Sequence, residues 1–113
     1  MPNKILNLLL DLIEQNKIDG YKVSAAIVRK NKILASGSNV HKTHTRFGVG
    51  KFGNLHAESN AIRQAVNKGV DMKGSTIYVY RRNNLLAKPC ADCQALIDKY
   101  KINKVKYSPF KDN

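Results

Sequence analysis

From Asn3 to Asn16 the apolar residues Ile5, Leu6, Leu9, Leu12 and Ile13 recur at helical spacing, with Lys4, Asn7, Asp11, Glu14 and Gln15 on the other side. That period predicts a helix with one buried face, ended near Gly20. Lys22 to Arg29 reads as a strand centred on Val23 and the run Ala25–Val28. Asn31-Lys32 then stands between two apolar runs, which predicts a tight hairpin into a second strand over Ile33–Ser36. Gly37 to Asn54 has no sustained period and carries Gly48, Gly50 and Gly53. It is expected to be a long loop, and such loops in small domains usually serve function.

A second helix is predicted over His56–Lys68, burying Ala57, Ala61, Ile62, Ala65 and Val66, with Gly69 as its stop. Ser75–Tyr80 is β-branched and aromatic, the signature of a central strand. Asn83-Asn84 opens a further loop that ends at Pro89. Cys90–Tyr100 predicts a third helix with Cys93, Leu96, Ile97 and Tyr100 on one stripe, and Lys104–Tyr107 a last strand before Pro109. The order α-β-β-α-β-α-β specifies an α/β fold. Strands alternating with helices after the hairpin imply parallel pairing and helices on both sheet faces. No repeat or linker divides the chain, so residues 1–113 are read as one domain.

Composition sharpens this picture mainly through charge. The 113 residues carry 20 Lys and Arg against 8 Asp and Glu, a formal charge of +12. Such an excess favours anionic partners such as nucleotides or nucleic acid. The two cysteines, Cys90 and Cys93, are too close in sequence to staple a secreted domain. They suit a reduced, cytoplasmic setting with metal or redox chemistry. The apolar run Ile5–Ile13 is interrupted by Asn7 and Asp11, so neither a signal peptide nor a membrane span is expected.

The chemistry concentrates in His56-Ala57-Glu58 and Pro89-Cys90-Ala91-Asp92-Cys93. Each half alone is weak: an H-x-E triplet is common at helix starts, and C-x-x-C also serves redox pairs and structural metal sites. Together they supply one His and two Cys for a zinc ion, with a fourth position open as in catalytic sites. Pro89 places both cysteines in the first turn of a helix, where residues three apart share a face. Zinc brings the pKa of a bound water toward 7, and Glu58 offers the carboxylate to take its proton. Positions i and i+2 diverge on a helix, so His56 and Glu58 can serve one site only at the helix entrance. No second His follows at the spacing of a thermolysin-like protease.

H-A-E followed by P-C-A-D-C resembles the zinc-dependent cytidine deaminase-like superfamily, whose signature is H-x-E…P-C-x-x-C. The resemblance runs from about Tyr21 to Ser108 and is nearest to deoxycytidylate deaminase-like and phage-encoded members, through Lys42-Thr43-His44 and Ala87-Lys88-Pro89-Cys90. It implies a three-layer α-β-α sandwich around a mixed sheet of four to five strands. It also implies one zinc per chain held by His56, Cys90 and Cys93, with Glu58 as proton shuttle. The implied reaction is hydrolytic removal of ammonia from a base amidine by zinc-activated water. Asn39 resembles the substrate-orienting asparagine of the family, and Ala57, His44 and Lys88 complete the expected substrate contacts. Lys88 departs from the Glu that many relatives carry before the proline, which points it toward phosphate instead. The chain stops soon after the Val105 strand, before the fifth strand whose direction separates the branches. Assembly into homo-oligomers is a further implication of the resemblance.

Between Asp19 and Glu58 no acidic residue occurs, while Lys22, Arg29, Lys30, Lys32, Lys42, Arg46 and Lys51 all do. His41, His44, Phe47 and Phe52 add rings on which a base can stack. The leading expectation is a deaminase of a cytosine-containing nucleotide or nucleoside. The alternative is a deaminase of cytosine or adenine in single-stranded DNA or RNA, tRNA included. A non-catalytic zinc or nucleic-acid-binding module and a thiol oxidoreductase using Cys90 and Cys93 are the readings from other classes. Glu58 speaks against the former, since a structural metal site needs no carboxylate beside it.

Overall fold

A computed structural model describes residues 1–43 and 54–111, the side chains of 41–43 and 54–55 aside. Helix α1 (Asn3–Gln15) is followed by strands β1 (Val23–Arg29), β2 (Lys32–Ser38), β3 (Val40–Thr43) and β4 (Asn54–Leu55). Helix α2 (Ala57–Asn67), strand β5 (Thr76–Arg81), a single 3₁₀ turn over Arg82–Asn84, helix α3 (Ala91–Lys99) and strand β6 (Lys104–Tyr107) complete the order. The main sheet has the order β2-β1-β5-β6, and β3 and β4 form a separate two-stranded pair.

Alternation along the two central strands builds the layers, because successive side chains leave a strand on opposite faces. Ala25, Ile27, Ile77 and Val79 pack with Ala57, Ala61, Ile62 and Ala65 of α2 and Ile97 of α3. Ala26, Val28, Tyr78 and Tyr80 face the other way, onto Ile5, Leu9 and Ile13 of α1. Those three residues are one turn apart, so one stripe docks the whole helix, each burial contributing about 2 kcal/mol. Ser24 donates its hydroxyl to the Leu9 carbonyl (2.8 Å), tying α1 to β1 from inside. The result is the expected three-layer α-β-α sandwich with a mixed sheet of four strands.

The expectation of parallel pairing after the hairpin needs correction. β5 pairs antiparallel with β1 and only β5 with β6 is parallel. The α2 crossover does make β5 parallel to β2, but β1 lies between them and supplies the hydrogen-bonded neighbour. The hairpin turn also shifts by one residue: Lys30 (φ 51°) and Asn31 (φ 63°) form it, and Arg29 pairs with Lys32. Two consecutive left-handed residues match the right-handed twist of the flanking strands.

The second strand runs further than expected, to Ser38, and the segment read as loop contains β3 and β4. Gly37 therefore lies inside a strand. A Cβ there would stand 2.8 Å from the Ala61 backbone nitrogen, so the missing side chain lets α2 lie directly on β2. That contact sets the depth of the helix that carries His56 and Glu58.

Candidate active site

Both short motifs sit at helix starts. His56 precedes α2 and Cys90 precedes α3, each with extended backbone (φ −78°, ψ 165° and φ −71°, ψ 170°), and neither side chain caps its own helix. An N-cap residue lies off the helical spiral, so its side chain is free to turn toward a neighbouring element. This is what lets His56 and Glu58, two residues apart, approach one site.

His56 Nδ1 lies 3.5 Å from Cys93 Sγ and 3.8 Å from Cys90 Sγ. Zinc bonds of about 2.1 Å to nitrogen and about 2.3 Å to sulfur, at tetrahedral angles, hold such atoms about 3.6 Å apart. The donor spacing thus fits a zinc ion. All three ligand atoms lie within 4.8 Å of one another, and the two cysteines are free thiols. Cys93 is buried on the inner face of α3 while Cys90 is exposed at its start.

Electrostatics sharpen the roles. Burial is the main force lowering the His56 pKa, opposed by the nearby Asp92 carboxylate. A neutral imidazole is the form that ligates metal. Burial also pushes the Cys93 thiol strongly up, with the Glu58 and Cys90 charges adding to it. Without a cation, this pocket resists a thiolate; a metal reverses that balance. Glu58 is 5% exposed, and its desolvation raises the carboxyl pKa against hydrogen bonds from its own backbone N–H and Cys93. A carboxyl so placed holds a proton more readily than a surface glutamate, as a proton carrier requires.

His56, Ala57 and Glu58 form one wall of a pocket of about 380 Å³. Asn39, Tyr21, Arg81 and Leu86 line it elsewhere. Asn39 reaches the pocket, but its amide is largely committed. Its Oδ1 accepts from the Val23 N–H and from Asn16 Nδ2 (both 2.9 Å), and its Nδ2 donates to the Tyr21 carbonyl (3.1 Å). With two donors on the oxygen, the expected give-and-take with a substrate reduces to the remaining Nδ2 hydrogen. Ala57 is fully buried beside the pocket. Lys88 is exposed and is not among the residues lining this pocket.

His44, Arg46, Phe47, Lys51 and Phe52 lie outside the described residues, as do the side chains of His41 and Lys42. Of the remaining basic residues in the acid-free segment, Arg29 is spent on the carbonyls of Asp71 (2.8 Å) and Lys73 (3.2 Å). Lys30 and Lys32 are exposed at the hairpin, away from the pocket lining.

Three contributors are not singled out as site residues by the sequence, where Arg81 counts only toward the general basic excess. Tyr21 and Arg81 pack together on the pocket wall, the guanidinium carbon 5.1 Å above the ring centre. Arg81 closes β5, and Tyr21 precedes β1, so the antiparallel β1–β5 pairing brings them together; Val23 is directly opposite Arg81. Ser108 is fully buried and braces the loop between β5 and α3. Its hydroxyl accepts from the Arg81 N–H (3.0 Å) and its carbonyl from the Ala87 N–H (3.0 Å). The adjacent dipeptide Asn83-Asn84, both left-handed, was a usable signal for a tight turn here.

A three-layer α/β sandwich with a His/Cys/Cys group, and a buried glutamate in contact with Cys93 and sharing a pocket with His56, is the arrangement of a zinc deaminase. A family profile described as "Cytidine and deoxycytidylate deaminase zinc-binding region" matches residues 2–109, and the chain belongs to that family. Similar folds include the dCMP deaminase of cyanophage S-TIM5 (24% identical, covering 95% of this chain and 84% of the other, TM-score 0.61). The cytidine deaminase of Burkholderia pseudomallei is 19% identical, with 95% and 82% covered and a TM-score of 0.67. The guanine deaminase of Bacillus subtilis is 22% identical, with 96% and 64% covered and a TM-score of 0.59. No curated protein matches the chain. Among the described residues no helix is long and apolar enough to cross a membrane.

Proposed function

We propose that this enzyme is a zinc-dependent hydrolytic deaminase of a cytosine-containing nucleotide or nucleoside, with one zinc held by His56, Cys90 and Cys93. The observation that carries the reading is the buried Glu58 carboxyl, set against Cys93 and opening into the same pocket as His56. When bound, zinc supplies a Lewis acid that makes a water acidic near neutral pH. Glu58 takes a proton from the attacking water at a carboxylate oxygen. It delivers protons to the ring nitrogen and then to the exocyclic amine. The C–N bond breaks as a C–O bond forms, so cytosine and water become uracil and ammonia. Ala57 packs beside the base, and Asn39 offers it one amide hydrogen. The dCMP deaminase of cyanophage S-TIM5 was also solved in complex with dCMP and dUMP, which is consistent with a pyrimidine nucleotide in such a fold.

The test is an ammonia-release screen over cytidine, deoxycytidine, their monophosphates, adenosine and short single strands. Activity is expected on the cytosine nucleotides or nucleosides. Glu58→Gln is expected to retain zinc by metal analysis and to lose about 10³-fold or more in kcat, the scale of general acid–base catalysis. Undiminished turnover in that variant refutes the mechanism. Exclusive activity on adenosine or on strands refutes the substrate class.

A further inference from the structure

Beside the pocket lies a second hollow of about 230 Å³, lined by Tyr21, Lys22, Arg81, Arg82, Asn83 and Leu85. Tyr21 and Arg81 line both hollows, so the two adjoin across that pair. Among the described residues that line it, Lys22, Arg81 and Arg82 are cationic and none is acidic. Arg81 is also short of partners: its Nε is buried with no hydrogen-bond acceptor among the described residues. The contact described for its guanidinium is with the Tyr21 ring, which orients the group without neutralising it. Lys22 gives one ammonium hydrogen to the Asn16 carbonyl (2.6 Å), leaving its other hydrogens.

The walls of this hollow are fixed rather than loose. Asn84 Nδ2 donates to the Phe110 carbonyl and Asn84 Oδ1 accepts from the Phe110 N–H, both at 2.8 Å. The Arg81 N–H donates to Ser108 Oγ (3.0 Å), and the Arg82 N–H to the Lys22 carbonyl (2.9 Å). Like charges lining one hollow repel one another, which an anion relieves; the described carboxylate of Asp19 lines the adjoining pocket rather than this hollow.

We infer that this hollow is the phosphate subsite of the enzyme, and that the preferred substrate is a nucleoside monophosphate whose base enters the neighbouring pocket. The inference rests on the deaminase reading and names its substrate class more closely. Arginine is suited to the task because its planar fork binds phosphate oxygens in pairs. Three cations lining one hollow match a phosphomonoester, which carries nearly two charges at neutral pH, better than the single charge of each diester in a strand. Tyr21, at the boundary, has the face and the position to pack on the sugar or base between the two hollows.

The test compares kcat/KM for CMP and dCMP with that for cytidine and deoxycytidine, in wild type and in Arg81→Ala, Arg82→Ala and Arg81→Lys. The wild type is expected to prefer the monophosphates by about 30-fold or more. Each alanine variant is expected to lower that preference about tenfold, the scale of a lost hydrogen bond to a charged group. Arg81→Lys keeps a cation and a long side chain, so it serves should Arg81→Ala not fold; a partial loss of the preference is expected. A second readout needs no turnover: calorimetric binding of UMP against uridine should show the same ratio and the same losses. Inorganic phosphate should weaken UMP binding by competition.

Equal kcat/KM and equal binding for nucleoside and monophosphate in the wild type overturns the subsite. So does a preference unchanged by both arginine substitutions, and so does faster turnover of a cytosine-containing oligonucleotide than of the monophosphates. Arginine-dependent UMP binding without ammonia release from any cytosine compound leaves the subsite standing and rejects the deaminase reading instead.

Discussion

Asn39 gives the sharpest test of how the pocket is built. Its side chain joins three segments: the end of α1 through Asn16, the start of β1 through the Val23 N–H, and the pocket wall through the Tyr21 carbonyl. Its backbone N–H adds a bond to the Val23 carbonyl (3.1 Å), which stays in any variant. Asn39→Ala strands the Val23 N–H and the Tyr21 carbonyl and frees Asn16 Nδ2. A buried group left unpaired costs about 1–3 kcal/mol. The Val23 N–H and the Tyr21 carbonyl sit in part-buried bonds, so each costs about 1–2 kcal/mol, and the half-buried Asn16 amide regains water at little cost. The sum is about 2–4 kcal/mol, a large part of the roughly 5–15 kcal/mol that keeps a domain folded. With a urea slope of about 1.5 kcal/mol/M, the unfolding midpoint of the zinc-loaded protein should fall by roughly 1.5–2.5 M. Asn39→Asp keeps an oxygen to accept from the Val23 N–H and Asn16 Nδ2 but sets its second carboxylate oxygen against the Tyr21 carbonyl, so it too should destabilise. An Asn39→Ala midpoint within about 0.3 M of wild type refutes the reasoning, since that shift is below the cost of one unpaired group.

Two further outcomes follow from the site and its support. Because burial and the Glu58 and Cys90 charges raise the Cys93 thiol in the metal-free site, zinc must displace its proton, so affinity should rise with pH by about tenfold per unit for each proton released. A chelator competition at pH 6.5, 7.5 and 8.5 checks this, and a flat profile contradicts it. Gly37→Ala sets a methyl 2.8 Å from the Ala61 nitrogen, against backbone that cannot swing aside; a loss of about 1–3 kcal/mol is expected in urea unfolding.

Much of this was legible in the sequence. The three helices are where the periodicity predicts, within a residue or two, because each carries a clean apolar stripe and a clear stop. The His56/Glu58 spacing argument, that both can meet only at a helix entrance, is matched by the extended N-cap backbone of His56. What the sequence hid was set by long-range pairing. Nothing local tells that β1 inserts between β2 and β5, and that insertion is what turns the expected parallel neighbour antiparallel. The same insertion creates the Tyr21–Arg81 contact, sixty residues apart along the chain. Asn39 was visible as a candidate, but its partners, Asn16 after α1 and Tyr21 and Val23 at the start of β1, lie far from it along the chain, so its commitment to the scaffold was not. Gly37 looked like loop punctuation, whereas its missing Cβ matters only against a helix that arrives later in the chain.

The two sides of the pocket have separate origins. The side bearing His56, Ala57 and Glu58 belongs to the start of α2 and is fixed by the core beneath that helix. The opposite side, Tyr21, Arg81 and Leu86, comes from the α1–β1 junction and the exit of β5, and its scaffold is Ser108 and Asn39. Under the proposed function, reactivity and selectivity fall to different segments of the chain. Exchanging residues 82–88 for another loop of the same span should then retune which molecules are accepted while His56 and Glu58 stay in place, which makes this small chain a practical scaffold for redirecting a deaminase.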